Sequence, residues 1–559
     1  MALCSVCPHP GGEKLTSRMT ALACFKAADR VLDLGCGGGD SVRLLREKGI
    51  DAIGLETDAA RCDGSHVLHY GGRVLPFPEA SFDGALMECV LSCVDDPEET
   101  LKELRRVLRP EGTLAVSDLT AGEASETADV RGLHTKEEYR TLFRRAGFTV
   151  YYEEDASEGL LQLFGQLLLS GGEEAVEEAL GLSRTERKRL RPGYHLWILV
   201  PDRYQELAAR TRDMPFTEET SLTGNPPRLL KVSPKDIARI ITVGTSGSTG
   251  EKKRIWFTEK DLFRTVDFFT PGMAPMVDEG DLVTVFMRGT GLYSIAGLLQ
   301  AAVEPLGCSV KNHGDITDLD GAAEAAAAAD CLVMLPGDAA AMAALYPGLR
   351  PKSVLLSADY IPQSVVRRIE KTWKCRLFLH WGMTETGYGG AVTAAPGGPY
   401  LLRRDLFAEI VDPETGARLP FGEQGEIVIT TLQREGMPLT RYRTGDLGRL
   451  AIDENGRPGL TDLAGRISDP VPLPDGRSIS IRMLDEILYG EPDLVWYEAA
   501  LTAAGTLKIG WQGRNSERET GPSLPARLKK RILAHYQGLD VMFYPAAFCT
   551  GKRKLRMEV

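Results

Sequence analysis

Two stretches of this chain place residue types at spacings suited to nucleoside and phosphate ligands. The first, Val31-Leu32-Asp33-Leu34-Gly35-Cys36-Gly37-Gly38-Gly39-Asp40, runs from an apolar segment into a helical pattern. Glycines at such a turn reach positive φ and bring backbone amides close to a ligand, while the helix amino end favours anionic groups. Glu56 ends a second apolar run, Ile53-Gly54-Leu55-Glu56, where a carboxylate can accept both hydroxyls of a ribose. Loop and acid together make a nucleoside site. Their spacing alone fits a dinucleotide as well as S-adenosylmethionine.

The second stretch, Thr245-Ser246-Gly247-Ser248-Thr249-Gly250-Glu251-Lys252-Lys253, follows the apolar run from Ile240 to Val243. Hydroxyls, glycine amides and two lysines at this density form a nest for the β- and γ-phosphates of ATP, different from the GxxxxGK[ST] loop. Further on come His380-Trp381-Gly382-Met383-Thr384-Glu385-Thr386 and Tyr442-Arg443-Thr444-Gly445-Asp446-Leu447. Glu385 suits Mg²⁺, and Asp446 suits a pair of ribose hydroxyls. The order of the three fragments is far more specific than any one of them.

Seven of the eleven cysteines lie in the first 93 residues. Cys4-x-x-Cys7 with His9 has zinc-type ligands, but one CxxC without a second pair equally describes a surface thiol pair. A metal or metalloid acceptor held by Cys4, Cys7, Cys89 and Cys93 is the further alternative. No metal ligand is assigned there.

The elements that would position these residues alternate. Arg30 to Leu34, Ala52 to Leu55, Gly84 to Met87 and Thr113 to Val116 read as strands, with helical spacing over Ser41 to Lys48 and Glu98 to Leu108, which predicts a doubly wound α/β layer. An amphipathic helix over Thr135 to Ala146, a Leu-rich one near Leu160 to Leu169, a charged run ending Lys188-Arg189-Leu190-Arg191 and a strand from His195 to Val200 complete this part. The first boundary falls near Pro201. A second block opens with a helix over Tyr204 to Thr211, continues in strands and helices to about Leu450, and includes a packing helix over Ala322 to Ala329. The residues after Gly465-Arg466 form a smaller α+β unit. The limits are therefore 1–201, 202–465 and 466–559.

The 559 residues exceed what one hydrophobic core supports. With 66 basic against 78 acidic residues, a net of −12, the chain has no global positive field for nucleic acid. The apolar runs are too short to span a bilayer and the amino end lacks a signal-peptide pattern, so the chain reads as cytoplasmic, with reduced thiols and no membrane partner.

Asp33-Leu34-Gly35-Cys36-Gly37, Leu75-Pro76-Phe77-Pro78 with Ser81-Phe82-Asp83, and Leu104-Arg105-Arg106-Val107-Leu108-Arg109-Pro110-Glu111-Gly112-Thr113 resemble successive motifs of class I methyltransferases over about residues 27 to 120. The resemblance implies S-adenosylmethionine as cofactor, with Asp33, Gly35, Gly37 and Gly39 lining its methionine and ribose side and Glu56 holding the ribose. Gly71 stands where an acid often reads the adenine amine. The stretch Glu88-Cys89-Val90-Leu91-Ser92-Cys93 carries a cysteine where a histidine is common, which leaves the methyl acceptor open.

Met214-Pro215-Phe216-Thr217, Val411-Asp412-Pro413-Glu414-Thr415-Gly416 and Met437 to Asp446 make residues 205 to 559 similar to adenylate-forming enzymes, in particular phenylacetate-coenzyme A ligases. The fold so implied is a large α/β domain with a small mobile carboxy-terminal domain hinged after Arg466. Residues 245 to 250 with Lys253 would hold phosphates, Trp381 would stack on adenine, Ser357 and Asp359 would flank it in place of Gly and Glu, and Asp446 and Arg466 would hold the ribose. Ser468 takes the place of a charged hinge residue. Thr384 and Glu385 would serve catalysis, Glu385 through Mg²⁺, and Lys552 would reach the α-phosphate and acyl oxygens. The small domain would then turn and admit the thiol of coenzyme A.

The function expected is ATP-dependent activation of a small carboxylic acid, aryl or arylacetic by the resemblance, to its coenzyme A thioester, fused to a methyltransferase. The alternatives are transfer of the acyl group to a carrier protein or other nucleophile, and an amino-terminal part that only senses S-adenosylmethionine. The acid pocket is expected near Tyr293, Met383 and Tyr388.

Overall fold

The computed structural model describes residues 9–122, 132–223, 228–244, 252–514, 523–551 and 555–558. Its backbone separates into two compact units, Met1–Leu207 with Ile452–Arg457, and Ala208–Ala451 with Pro458–Val559.

The first unit is built on β1 (Arg30–Leu34), β2 (Asp51–Glu56), β3 (Val67–His69), β4 (Phe82–Glu88), β5 (Leu108–Ala121), β6 (His134–Thr135), β7 (Phe148–Asp155) and β8 (Gly193–Pro201). They form one sheet in the order β3-β2-β1-β4-β5-β8-β7, with β6 alongside β5. The strands are parallel except β8, which is antiparallel to both β5 and β7. The expected strands and helices are present. The helix Pro97–Val107 starts on an Asp96 cap with proline at its first turn, and Lys136–Arg145 starts on a capping box between Thr135 and Glu138. Leu32, Leu55, Met87, Leu104, Phe143 and Trp197 meet in its core. A helix over Gly12–Ala23 was not read from the sequence; it packs on β5 and β8.

In the second unit, β9 (Ile237–Gly244) and β10 (Lys252–Thr258) pair as an antiparallel hairpin on either side of residues 245–251, which lie outside the described residues. The large sheet uses β11 (Leu282–Phe286), β12 (Ser309–Asn312), β13 (Cys331–Met334), β14 (Ser353–Leu356) and β15 (Arg376–Trp381), all parallel. It continues through β16 (Ala391–Thr393), β17 (Tyr400–Leu402), β18 (Leu406–Val411), β19 (Gln424–Thr431), β20 (Tyr442–Ile452) and β21 (Pro458–Arg466) in the order β12-β11-β13-β14-β15-β16-β17-β21-β20-β19-β18. A short pair, β22 (Val471–Pro472) and β23 (Ser478–Ile479), precedes the small carboxy-terminal sheet of β24 (Leu494–Thr502), β25 (Leu507–Gly513), β26 (Val541–Pro545) and β27 (Leu555–Glu558).

The large and small sheets of this unit share one apolar core. Val354, Trp373 and Met342 from the large sheet's side lie in the same buried cluster as Tyr497, Ile509 and Leu528. Polar bonds reinforce it. The helix Gln363–Trp373 begins after Pro362, which offers no side-chain cap, and Glu486 supplies one from the helix Ile481–Leu488 by accepting from the amides of Gln363 (2.6 Å) and Ser364 (3.0 Å). Arg368, from the same capped helix, donates to the carbonyls of Tyr489 (2.8 Å), Glu491 (2.5 Å), Leu494 (2.7 Å) and Ala340 (3.3 Å). No helix among the described residues is long and apolar enough to cross a membrane.

Candidate active sites

In the first unit β2 lies on one side of β1 and β4 on the other, so the strand order reverses at β1. Open parallel sheets bind ligands at the carboxyl ends of the strands flanking such a reversal. Gly35, Gly37 and Gly39 occupy that edge at positive φ, and a Cβ on Gly35 would stand 2.4 Å from Cγ2 of Val90. Only glycine fits both the backbone and the space. Glu56 fastens the loop: its carboxylate accepts from the amides of Gly37 (2.9 Å), Thr57 (2.7 Å) and Asp58 (3.0 Å).

The crevice floor is acidic and buried. Asp33 accepts from the Ser41 hydroxyl, and burial, helped by the nearby Glu88 carboxylate, raises its pKa to about 7. Burial likewise raises Glu88 to about 8, against the opposing pull of the Thr16 hydroxyl, which donates to it at 3.1 and 3.2 Å. Cys89 has a left-handed φ of 57°, and its Sγ lies 3.0 Å from the Tyr194 hydroxyl, itself 2.9 Å from Ser117 Oγ. Burial pushes the Cys89 thiol well above its usual range, so it is not a ready nucleophile. Cys93 is exposed, and Cys4 and Cys7 lie outside the described residues. Among the described residues no group of three or more His, Cys, Asp or Glu is arranged to hold a metal ion.

Two outcomes follow for this unit. Replacing Glu56 by Ala removes the anchor of the loop and the carboxylate expected to accept the ribose hydroxyls, and calorimetry should show S-adenosylmethionine binding weakened by about 1.5–3 kcal/mol, the range for hydrogen bonds to a charged group. Asp33 and Glu88 bind protons more tightly folded than unfolded, so the stability these two groups contribute is full below the unfolded carboxylate range and is lost as pH rises through about 7 and about 8. Hydrogen exchange of β1 and β4 should quicken between about pH 5 and pH 8 beyond the intrinsic rate change, and Glu88→Gln should flatten that trend.

In the second unit Glu385 sits in a short helical turn, Thr384–Thr386, just beyond β15. Its Oε1 accepts from Lys253 Nζ at 2.5 Å and from the Tyr442 hydroxyl at 2.9 Å, and Lys253 also donates to Glu219 at 2.9 Å. Burial would raise the Glu385 carboxyl, but Lys253 beside it holds it below the usual range, so the group is anionic. Arg434 donates to the Glu385 carbonyl and Arg403 to that of Thr386 (2.8 Å), which fixes the turn from behind.

Asp446 on β20 takes the Trp381 indole N–H on one oxygen at 3.0 Å and faces Arg466 Nε from the other at 3.2 Å. Burial raises its pKa although Arg466 opposes the shift. Trp381, Asp446 and Arg466 thus form one wall, as the sequence placed them in one site. Ser357, just beyond β14, shares a 2.7 Å hydrogen bond with His380 Nδ1, and Asp359 accepts from the amide of the next residue, Tyr360, at 2.9 Å. Ala358 between them has φ 70°, a conformation natural to the glycine that the resemblance puts nearby. Met383 is buried, Arg239 lies over the Tyr388 ring at 5.5 Å, and the Tyr293 hydroxyl donates to Glu259 at 3.3 Å. Residues 245 to 250 and Lys552 lie outside the described residues.

Comparison with known proteins finds matches in both units. A model described as a methyltransferase domain matches residues 32–116, from β1 to β5, and one described as an AMP-binding enzyme matches residues 313–433, which include Ser357, Trp381 and Glu385. The chain carries a methyltransferase domain followed by an AMP-binding domain. The phenylacetate-coenzyme A ligase of Pseudomonas putida is 28% identical over 307 residues, 51% of this chain and 69% of the relative. An O-methyltransferase of Aspergillus sclerotiorum is 30% identical over 163 residues, 25% of this chain and 61% of its own length. The structure of 2-hydroxyisobutyryl-CoA ligase in its postadenylation state superposes with a TM-score of 0.51 at 19% identity, covering 64% of this chain and 84% of that one, and establishes the fold.

Several site residues escaped the sequence. In the AMP-binding domain Tyr442 was read only as part of a motif, and Glu219 not at all, yet both close on Glu385 and Lys253. In the methyltransferase domain Thr16 was not read, and His9 was weighed only beside Cys4 and Cys7, yet both reach Glu88 across the sheet edge. A polar residue on the inner stripe of Gly12–Ala23 was the one available signal, since buried Thr16 lies between Leu15 and Met19.

Proposed function

We propose that residues 202–465 and 466–559 activate a carboxylic acid with ATP, through an acyl adenylate, to its coenzyme A thioester, and that residues 1–201 transfer the methyl group of S-adenosylmethionine to an oxygen acceptor. The observation that carries the first part is the pairing of two preformed groups: the Trp381–Asp446–Arg466 wall and the anionic Glu385 beside Lys253. The first suits an adenosine; the second suits the charge of its phosphates. The likeness to phenylacetate-coenzyme A ligases favours an aryl or arylacetic acid.

The residues present fit Mg²⁺ on one condition. Glu385 keeps its charge, but Lys253 now holds it, so the metal requires that lysine to move to the phosphates. Lys253 is the second residue of β10, which follows residues 245–251, and those are the residues the resemblance gives to the phosphates. Mg²⁺ would neutralise the departing pyrophosphate. Asp446 and Arg466 would orient the ribose, Trp381 would cover the adenine, and Lys552 would stabilise charge at the α-phosphorus. The exchange of radiolabelled pyrophosphate into ATP, screened across a library of acids, tests this reading. Exchange with an aryl acid, followed by AMP release that depends on coenzyme A, supports it. Coenzyme A-independent AMP release would instead assign another nucleophile, and no exchange with any acid would remove the adenylation.

A further inference from the structure

We propose that Glu88 is the buried base of the methyl-transfer site and that Thr16 and His9 carry its proton to solvent. This rests on the S-adenosylmethionine reading above and names a residue and a proton path for it. Glu88 ends β4, at the crevice edge where Val90 presses on Gly35, and its side chain is 6% exposed; His9 is 22% exposed. Thr16 Oγ1 stands between them, 3.1 and 3.2 Å from the two Glu88 oxygens and 3.2 Å from His9 Nε2. His9 Nδ1 lies 3.2 Å from the Pro10 carbonyl and 3.6 Å from Glu88 Oε1, and Thr16 also reaches the Gly12 carbonyl at 3.4 Å.

These three side chains link Glu88 to the more exposed His9 through one hydroxyl. With Nδ1–H donating to Pro10, His9 Nε2 is an acceptor; the Thr16 hydroxyl donates to Glu88 while the carboxylate is ionised, and when Glu88 is protonated the hydroxyl can turn to Nε2 and accept from Glu88. Thr16 takes the Glu88 proton and passes its own to His9 Nε2; the imidazolium so formed loses its Nδ1 proton to water, and the ring returns to its first tautomer by exchange with solvent. During transfer the acceptor oxygen forms its bond to the methyl carbon, the old S–C electron pair stays on sulfur, and the acceptor's proton goes to Glu88. The charges agree with the sequence of events. Burial pushes Glu88 to about 8, so it is mainly neutral at pH 7, and a sulfonium bound beside it would favour its ionisation. Once the methyl has left, sulfur is neutral and Glu88 again holds a proton. Asp33 from β1, Cys89, and Tyr194 from β8 are the other titratable groups at this point, and Glu56 acts on Asp33.

The test uses the full-length chain and needs no known acceptor. S-adenosylmethionine and S-adenosylhomocysteine share the ammonium that would address Asp33 and differ in sulfonium charge. Calorimetry at pH 7 in buffers of different ionisation enthalpy should show that the methylated ligand releases about one proton more than the demethylated one. Glu88→Gln should bind both ligands and erase the difference. In Thr16→Val, stopped-flow indicator measurements should find proton release slowed by about a hundredfold, the lower end of what a positioned proton-transfer group contributes. Equal proton release by the wild type with both ligands bound, or a difference that survives Glu88→Gln, overturns the assignment of Glu88. An unchanged release rate in Thr16→Val overturns the relay. Failure of the wild type to bind either ligand overturns the underlying cofactor reading, and this proposal with it.

Discussion

Glu385→Gln should lower acyl-adenylate formation by about 10²- to 10³-fold, the loss typical of removing one preorganised electrostatic group. Glutamine keeps the volume and a carbonyl oxygen that can accept from Lys253 and Tyr442, so the turn held by Arg403 and Arg434 should persist. What is lost is the negative charge. Lys253 is left with Glu219 as its remaining carboxylate, and the metal site proposed at Glu385 would lose its anion. Pyrophosphate exchange measured against Mg²⁺ concentration separates the two consequences. A higher metal requirement marks Glu385 as the ligand, whereas a loss that excess metal leaves untouched marks it as the partner that positions Lys253. Exchange at the wild-type rate would remove Glu385 from the chemistry.

Lys552→Ala should divide the two half-reactions. The resemblance assigns this lysine to the α-phosphate and acyl oxygens during adenylation, and loss of such a donor costs about 10²- to 10³-fold in that step. Thioester formation from a chemically supplied acyl adenylate should be nearly spared, because thiol attack does not draw on that charge. Thr550, two residues before it, donates to Asp338 Oδ2 at 2.7 Å, which ties this end of the chain to the start of the helix Pro336–Leu345. Equal loss in both half-reactions, or none in either, would show that Lys552 is not the adenylation group.

How far the sequence could be read follows from the range of the interactions involved. β1 and the helices after Asp96 and Thr135 are set by local patterns, an apolar run or a capping residue, and these were legible. Asp33, Gly35 and Glu56 were legible for the same reason, since strand, turn and acid lie close in sequence. Trp381 and Asp446 were found through motifs, but the hydrogen bond that makes them one wall joins strands far apart in sequence. Nothing local ties Thr16 to Glu88 or Lys253 to Glu219. Pairings of this kind appear only once the sheet has assembled. The carboxy-terminal residues illustrate the same point: their α+β character was readable, while the apolar face they share with the large sheet was not.

That shared core bears on how the protein is made. Strands β11 to β15 and the helices Pro336–Leu345 and Gln363–Trp373 leave the ribosome well before residues 481–541 exist, yet Met342, Val365 and Trp373 find part of their cover only there. Until Glu486 arrives the helix after Pro362 has no side-chain cap, and until Tyr489, Glu491 and Leu494 arrive the Arg368 guanidinium lacks three of its four carbonyls. The nascent chain therefore carries an unfinished apolar surface through the later part of its synthesis, the kind of exposure that invites aggregation and chaperone capture. A chain stopped at Arg466 should accumulate in the insoluble fraction, and supplying residues 467–559 as a separate polypeptide during synthesis should recover part of it.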